Sequence, residues 1–387
     1  MVFSILKKDK KTKARLGILR TAHGNIMTPA FIPVGTRAAV RSLASDEIKS
    51  SGAQAILANT YHLWLQPGDN LIKKAGGLHK FMDWDGPIFT DSGGFQIFSL
   101  GERKWSAAPH QHAGGGFLKN SGNNSPFNVK ISDDGVSFQS GKDGSVHKLT
   151  PEKSVRIQAN LGSDISLVLD YFCGYPFKRE SAEKSVELTT KWAERAGKEF
   201  LRIKKSAVNK GQLQFGIIQG AGYKKLREKS AKEISALDFD GYAIGGVAVG
   251  EPEKYMYQAV EFSVPFLEEN KPRHLLGVGT PENIIEAVKR GCDTFDCVIP
   301  TREARHGKAY IFTGEGLKYK TMDIKKKMFA GDFKSLDPNC DCFACARHTR
   351  AYIHHLYQIK EILGLRLMTE HNLMFYNRLM EKIRASV

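Results

Sequence analysis

The sequence predicts an α/β protein with a closed parallel (β/α)8 fold, the TIM barrel. Two observations support this prediction: short apolar runs recur along the chain, and segments with helical signals separate most of them. The runs number eight, as the barrel requires: AFIPVGT (30–36), QAILANT (54–60), PIFTDSG (87–93), ISLVLDY (165–171), LQFGIIQG (213–220), GYAIGG (241–246), HLLGVG (274–279) and FDCVIP (295–300). Their near-continuous apolar character is typical of strands buried on both faces. A doubly wound open sheet is the alternative fold.

Helix start signals lie between these runs. Ser45 is expected to cap the segment SDEIKSSG, and Thr150 with Pro151 is expected to open TPEKSVRIQANLG. The segment TPENIIEAVKRG repeats that threonine–proline start and is expected to end on Gly291. Strand and helix therefore alternate, as a barrel demands.

The predicted domain organisation is a catalytic barrel with one insertion and one appendage. The barrel takes residues 1–310, and a Gly-, Ser- and Asn-rich stretch over 101–130 is expected to form a long loop inserted after the third strand. His110 and His112 in that loop have the chemistry to bind a metal, but solvation is the favoured interpretation. Residues 311–387 are expected to form a zinc-binding subdomain packed on the barrel.

The composition favours a polyanionic partner. Lys and Arg outnumber Asp and Glu by 57 to 41, which gives a formal charge of +16 and a pI near 9.4. Nucleic acid fits this balance, and a phosphorylated small substrate or an anionic membrane surface stays open. The sequence contains no apolar run of roughly 20 residues, and the apolar stretch of MVFSILKKDKK is short for a signal peptide. A cytoplasmic protein is expected.

Three crowded cysteines predict a metal site. Cys340, Cys342 and Cys345 form C-x-C-x2-C, and three thiolates from one tight loop suit three corners of a zinc tetrahedron. Three histidines in the following segments are candidates for the fourth ligand: His354, His355 and His371. A closed Cys3His site is structural, so its loss should unfold the tail.

Polar and glycine residues gather where the predicted strands end. The carboxyl ends of parallel barrel strands meet on one face, where barrel chemistry takes place. These ends carry Asn59, Asp91, Asp170, Gln219, Gly245, Gly246, Gly277 and Asp296. For each residue alone, the start of a loop is a sufficient explanation, but together they favour a functional site.

Two carboxylates at strand ends suit the cleavage of a bond to a sugar anomeric carbon. One carboxylate attacks or stabilises the cationic centre, and the other moves a proton on the leaving group. Asp91 and Asp296 are the candidates, although either is also a plausible turn former. Arg302 and Arg305 follow Asp296 closely and are expected to reach the same face, where they could grip phosphate.

Long motifs occur along the chain: TPAFIPVGT, ANTYHLWLQPG, TDSGGFQIFSLG, GIIQGAGYKKLREKSA, DFDGYAIGGVAVGEP, LLGVGTPENIIEAVKRGCDTFDCVIPTR and CDCFACARHTRAYIHHLY. Through these motifs the chain resembles the bacterial-type tRNA-guanine transglycosylases from about residue 14 to the C-terminus. The resemblance implies a (β/α)8 barrel with a zinc subdomain, which forms a homodimer. It also implies exchange of guanine at the wobble position of tRNAs with GUN anticodons for a 7-deazaguanine, in queuosine biosynthesis.

The resemblance assigns roles that spacing cannot. Asp296 matches the nucleophile that forms a covalent RNA–enzyme intermediate, and Asp91 matches the general acid/base. Residues matching the substrate base pocket are Ser92, Gly93, Gly94, Phe95, Asp170, Gln219, Gly245, Gly246, Val247 and Leu276. Residues matching the RNA-binding stretches are Gly277, Val278, Gly279, Thr280, Pro281, Glu282, Asn283, Thr301, Arg302, Glu303, Ala304 and Arg305. By the same match His371 closes the zinc site.

The chain departs from the family pattern at three places. Tyr171, Phe172 and Cys173 follow Asp170, where Glu then Cys is usual, and the resemblance implies that this neighbourhood senses the 7-substituent of the incoming base. The expected incoming base is 7-aminomethyl-7-deazaguanine. The 101–130 insertion is longer than expected. An aromatic position of the dimer contact is occupied by His348, whereas Tyr352 and His355 fit the pattern.

Two competing functions remain on the sequence alone. A (β/α)8 glycoside hydrolase would use the same pair of carboxylates, but it would not need so basic a surface. A catalytically silent, zinc-bearing tRNA-binding subunit would be expected to lack the nucleophile, and both aspartates are present.

Overall fold

The computed structural model describes residues 1–101, 128–314 and 316–387. Within these ranges, eight parallel strands form one sheet, and each lies within or beside one of the eight predicted runs. We label them in chain order as β1 Ala30–Pro33, β2 Ile56–Ala58, β3 Ile88–Thr90, β4 Ile165–Leu167, β5 Leu213–Ile218, β6 Gly241–Ile244, β7 Arg273–Leu275 and β8 Thr294–Cys297. The predicted strands are confirmed, with shorter bounds.

The sheet forms a barrel rather than an open sheet. The hydrogen-bonded order is β1-β8-β7-β6-β5-β4-β3-β2, so the first and second strands stand at its two ends. A parallel bridge between Val34 and Leu57 joins those ends, and Gly35 N donates to Leu57 O at 2.7 Å. The doubly wound alternative is therefore wrong, because its edge strands would not meet.

Helices follow the strands and surround the barrel. The α-helices in the described ranges are Ser45–Ser50, Thr60–Leu65, Asp69–Lys74, Leu78–Met82, Gly94–Gly101, Pro151–Leu161, Arg179–Ile203, Lys224–Ser235, Glu253–Ser263, Pro281–Lys289, Ile299–Arg305, Phe343–Arg347, Arg350–Gln358 and Ile362–Ser386. Short 3-10 turns lie at Lys204–Ser206, Val264–Phe266 and Lys327–Phe329. None of the described helices is long and apolar enough to cross a membrane.

Two of the three predicted helix starts are confirmed. The hydroxyls of Thr150 and Thr280 accept from backbone N–H groups three residues further on, as N-caps do. The prediction for Ser45 is wrong, because Ala44 occupies the N-cap. There Glu47 accepts from Ala44 N at 2.9 Å, and the Ser45 hydroxyl donates to Met82 O instead. A glutamate in the first turn thus replaces the side-chain cap.

Smaller antiparallel sheets flank the barrel. One contains Phe3–Lys8, Arg15–Thr21 and Gly24–Thr28, a second contains Lys130–Ser132, Gly135–Gln139 and Val146–Leu149, and a third pairs Lys308–Phe312 with Tyr319–Asp323. The second sheet begins at the end of the predicted 101–130 insertion. The rest of that prediction, with His110 and His112, lies outside the described residues.

A buried carboxylate organises the amino-terminal end of the barrel. Asp164 immediately precedes β4, is fully buried, and accepts from Ile88 N at 2.9 Å and from the ring Nδ1 of His23 at 2.8 Å. The His79 ring stacks on that of His23 at 3.6 Å and reaches the other carboxylate oxygen at 3.1 Å. Burial raises the pKa of Asp164, but the bonds from His79 and His23 outweigh it, and the pKa falls below 3.8.

The final helix, Ile362–Ser386, joins the tail to the barrel. Asn377 donates to Ser51 O at 2.7 Å, Arg384 donates to Pro29 O at 2.8 Å, and Tyr376 donates its hydroxyl proton to Gly279 O at 2.7 Å. Most of this helix is buried. The C-terminal segment therefore shares a core with the barrel, and the domain boundary at residue 310 stays a prediction.

Candidate active site and metal centre

Asp91 lies directly after β3 in a cradle of donors. Asn59, which directly follows β2, donates its amide to Oδ2 at 2.6 Å, while the backbone N–H groups of Thr60 and Gly93 donate to Oδ1 at 2.9 and 3.0 Å. Burial raises the pKa of Asp91 to about 7, although the hydrogen bonds from Thr60 and Gly93 act to lower it. The negative charges of Asp296 and Asp170 add to the increase. The carboxyl group is thus poised to gain or lose a proton near neutral pH.

Asp170 forms the floor of the same site. It lies beyond β4, buried, and accepts from the Ser92 hydroxyl at 3.3 Å and from Gln219 Nε2 at 2.8 Å. Burial raises its pKa to about 6, although both bonds favour the ionised form. Among the described residues, Oε1 of Gln219 is buried without a hydrogen-bond partner. The site thus offers a buried anion beside an unused acceptor.

Glycines surround this floor because no side chain fits. A Cβ on Gly246 would stand 2.4 Å from Gln219 Oε1, and one on Gly245 would stand 2.8 Å from Gln219 Nε2. Gly246 also has a φ of +63°, a conformation that strains residues with a Cβ. A Cβ on Gly94 would meet the Leu169 side chain at 2.9 Å. The paired glycines keep the backbone after β6 in contact with the Gln219 amide.

Arg227 and Glu251 support this loop, and neither was predicted from the sequence. The Arg227 guanidinium is fully buried and donates to the carbonyl oxygens of Gly245, Ile218 and Ala221. Glu251 accepts from Ala248 N at 2.7 Å and Val249 N at 2.8 Å. Both side chains hold the backbone that follows β6. The lysine-rich helical segment around Arg227 gave no signal that would separate it from surface cations.

Asp296 is the next-to-last residue of β8. Its Oδ1 accepts from Gly277 N at 3.1 Å and lies 3.1 Å from the ring Nε2 of His274 in β7. The parallel register aligns His274 with Thr294, so both point to the side of the strands that also carries Asp296. His274 was missed by the sequence analysis, although a histidine inside an apolar buried run was a signal.

Aromatic rings form one wall beside this floor. Phe95 is 50% exposed, and its ring stacks on that of Phe172 with centroids 5.2 Å apart. Phe172 is buried and also meets Phe98 edge-on. Phe172, one of the three residues at which the chain departs from the family pattern, therefore packs against Phe95. Val247 is buried after β6, and Leu276 is partly exposed after β7.

The stretches assigned to RNA divide into exposed and structural positions. Gly277 and Glu282 are exposed, and Thr280, Asn283, Arg302, Glu303 and Arg305 are partly exposed. Val278, Gly279, Pro281, Thr301 and Ala304 are buried and shape the loops. Burial lowers the pKa of Arg305, and the nearby positive charges of Arg41 and Arg302 lower it further. Two guanidinium groups, those of Arg41 and Arg302, therefore lie close enough to Arg305 to act on its charge.

The structure brings the three predicted cysteines to one histidine. The ligand atoms of Cys340, Cys342, Cys345 and His371 all lie within 4.8 Å of one another. His371 Nδ1 faces the thiols, while its Nε2 is 2.8 Å from Tyr310 O, which fixes the tautomer that presents Nδ1 as a ligand. This set of soft donors is compatible with a metal site.

The structure does not group the other two histidine candidates with the cysteines. His354 is buried, and its Nδ1 bonds to Ile324 O at 2.8 Å. His355 lies on the exposed face of the same helix. Spacing alone left three histidines equivalent, and the packing of the final helix decides among them.

A closed barrel that gathers ionisable groups at the carboxyl ends of its strands defines the chain as a barrel enzyme. The sequence model described as queuine tRNA-ribosyltransferase matches residues 9–387. The chain therefore belongs to the queuine tRNA-ribosyltransferase family, as the motifs predicted.

Relatives agree over the whole length. The chain is 47% identical over 385 residues to a queuine tRNA-ribosyltransferase of Pelotomaculum thermopropionicum, covering 100% of this chain and 94% of the relative. It is 48% identical to one of Caldanaerobacter subterraneus subsp. tengcongensis, with 100% and 93% covered. It is 46% identical to one of Moorella thermoacetica, with 100% and 94% covered.

Proposed function

We propose that this enzyme exchanges guanine at the wobble position of tRNAs with GUN anticodons for a 7-deazaguanine, in queuosine biosynthesis, through a covalent intermediate on Asp296. Family membership over residues 9–387 supports the reaction class and disfavours both the glycoside hydrolase and the silent subunit. The single observation that carries the residue assignment is the grouping of Asp91, Asp170 and Asp296, in which the charges of Asp296 and Asp170 both act on Asp91.

Recognition of guanine follows from the groups on the floor of the site. The Watson–Crick edge of guanine offers two N–H donors and one carbonyl acceptor. The Asp170 carboxylate suits the two donors, and backbone N–H groups near Gly246 and Val247 suit the carbonyl. Adenine would place a ring lone pair against the carboxylate, so the site favours guanine. Phe95 and Leu276 are assigned to the two faces of the base, which must leave the anticodon stack to reach the site.

The chemical step divides between two carboxylates. Asp296 Oδ2 attacks the ribose C1′ as the C1′–N9 bond breaks, and the electron pair departs with guanine. Asp91 then supplies a proton to the leaving base and later removes one from the incoming base. A pKa of about 7 suits both directions of this transfer.

The remaining assignments follow the same logic. Arg302 and Arg305 are assigned to the RNA backbone, since phosphate would offset the positive charges that Arg41 and Arg302 place beside Arg305. Zinc is the metal that a Cys3His set best suits, where it would hold the tail rather than act on substrate. A homodimer and a cytoplasmic location, both expected from the sequence, complete the proposal.

Two variants test the assignment of the carboxylates. Asp296→Asn should abolish trapping of tRNA in a denaturing gel while tRNA binding persists, because the amide cannot form the ester. Asp91→Asn should abolish incorporation of radiolabelled guanine into unmodified tRNA. Asp143→Asn, in an exposed turn, is the matched control and should behave as wild type. A covalent adduct in Asp296→Asn would show that the nucleophile lies elsewhere.

The incoming base requires its own experiment. We propose 7-aminomethyl-7-deazaguanine, with Phe172 and Cys173 near its 7-substituent. Competition of this base and of queuine against labelled guanine would rank them. Stronger competition by queuine, whose 7-substituent is larger, would overturn the choice while leaving the reaction class intact.

A further inference from the structure

His274 lies inside the barrel with both ring nitrogens engaged. The side chain is fully buried, and its ring packs against Phe89 with centroids 5.3 Å apart. Nδ1 is 2.9 Å from the Thr294 hydroxyl, and Nε2 is 3.1 Å from Asp296 Oδ1. A buried imidazole thus links the barrel wall to the carboxylate assigned as nucleophile.

The partners determine which nitrogen carries the proton. An ionised carboxylate only accepts hydrogen bonds, so the proton of a neutral imidazole resides on Nε2. Nδ1 then accepts from the Thr294 hydroxyl, which can rotate to donate. Asp296 therefore fixes the tautomer, and Thr294 holds the angle of the ring that faces Asp296.

The two carboxylate oxygens of Asp296 differ in their hydrogen bonds. Oδ1 receives two donors, the His274 ring and the backbone N–H of Gly277. In the described ranges, 1–101, 128–314 and 316–387, Oδ2 accepts no hydrogen bond. One oxygen is held, and the other is left for bond formation.

We infer that His274 is a positioning residue that holds Asp296 with Oδ2 free and makes its carboxylate a good leaving group in the second half of the exchange. This inference rests on the proposed role of Asp296. In the first half, the Oδ2–C1′ bond forms and the C1′–N9 bond to guanine breaks. In the second half, N9 of the incoming base bonds to C1′, its proton goes to Asp91, and the electron pair of the C1′–Oδ2 bond returns to Asp296.

The hydrogen bond from His274 changes strength between these states. In the ester, Oδ1 is a neutral carbonyl, whereas in the free enzyme it belongs to a carboxylate. A hydrogen bond to a charged acceptor is about twice as strong as one to a neutral acceptor. His274 therefore stabilises the released carboxylate more than the ester and speeds breakdown of the covalent intermediate.

Two substitutions separate this role from simple packing. His274→Phe keeps a ring against Phe89 but removes the donor, whereas His274→Gln keeps an N–H donor at a similar reach. We expect His274→Phe to lower the rate of base exchange by about 10-fold with little change in KM for tRNA. The fraction of enzyme trapped on tRNA at steady state should rise at least twofold. His274→Gln should restore most of both quantities.

The adduct fraction decides the outcome. If His274 only fills space, exchange falls while the adduct fraction stays level or drops, and that result would overturn the inference. Equal loss in folded His274→Gln and His274→Phe would also overturn it. If His274→Phe does not fold, Thr294→Val gives the same test, since it frees the ring to turn; a lower adduct fraction there counts against the inference. Asp296→Asn is measured in the same experiment. A covalent adduct in that variant would show that the proposed nucleophile is wrong, which is a separate outcome from failure of the inference about His274.

Discussion

Gly246→Ala places the smallest possible side chain against the Gln219 amide. The new Cβ would lie 2.4 Å from Gln219 Oε1, so the amide must move by about 1 Å to reach ordinary contact. That movement breaks the 2.8 Å bond from Gln219 Nε2 to Asp170. The same alanine also adopts a φ of +63°, which is unfavourable for any residue with a Cβ.

The cost of this substitution has two parts. The left-handed backbone costs about 1–2 kcal/mol, and the lost bond to a charged acceptor costs about 1.5–3 kcal/mol. The entropy of unfolding for 387 residues is about 0.8 kcal/mol/K, from about 2.1 cal/mol/K per residue. The sum of about 2.5–5 kcal/mol therefore lowers Tm by about 3–6 °C.

Gly144→Ala is the matched control. Gly144 has a φ of +74°, but its Cβ would meet only Gln139 Nε2 at an ordinary 3.6 Å. Gly144→Ala should carry only the backbone cost, so its Tm should fall by about 1–3 °C. The variant should keep full activity. Calorimetry gives Tm, and labelled guanine gives the exchange rate, which should fall more than tenfold in Gly246→Ala alone. Equal behaviour of the two variants would refute the reasoning about Gln219.

Three further predictions concern protons and metal. Formation of the covalent intermediate should decline as pH rises above about 7, because Asp91 must be protonated to assist the leaving guanine; single-turnover trapping between pH 5 and 9 measures this, and a flat profile would exclude Asp91 as the acid. Cys345→Ser should release the metal, as measured by elemental analysis, and lower Tm, since a structural site contributes its binding free energy to folding; an unchanged metal content would remove Cys345 from the ligand set. Asp164→Asn should reduce stability at pH 7 by about 3 kcal/mol in denaturant unfolding, and its stability should depend less on pH in acid. The sign follows from the lowered pKa: stability from Asp164 is present above its ordinary value of 3.8 and is lost as pH falls through the lower folded pKa. A steeper acid loss in the variant would contradict this assignment.

The barrel could be predicted from the sequence because its signals are local. Each buried strand appears in the sequence as an apolar run, and the threonine–proline pairs at Thr150 and Thr280 indicate helix starts. The cap at Ser45 failed because Glu47 offers the backbone an alternative acceptor, which propensity at one position does not reveal. Where two local hydrogen-bond arrangements have similar energy, tertiary packing determines which one forms.

The candidate site was only partly predictable. Carboxylates at strand ends are recognisable in the sequence, because Asp91 and Asp296 interrupt apolar runs. His274 and Arg227 act through groups distant in sequence, and their roles depend on strand register and on carbonyl groups that spacing does not align. His371 required the packing of the final helix, because three histidines offered the same chemistry.

The final helix, Ile362–Ser386, carries both a candidate metal ligand and a contact to a loop of the barrel. His371 and Tyr376 lie on the same helix, one held among the cysteines and the other bonded to Gly279 O in the loop before helix Pro281–Lys289. Binding of a metal by this cluster would therefore be thermodynamically linked to the shape of that loop. Linkage is reciprocal, so RNA held by this loop would raise the affinity of the site for its metal by the same factor as the metal raises the affinity for RNA.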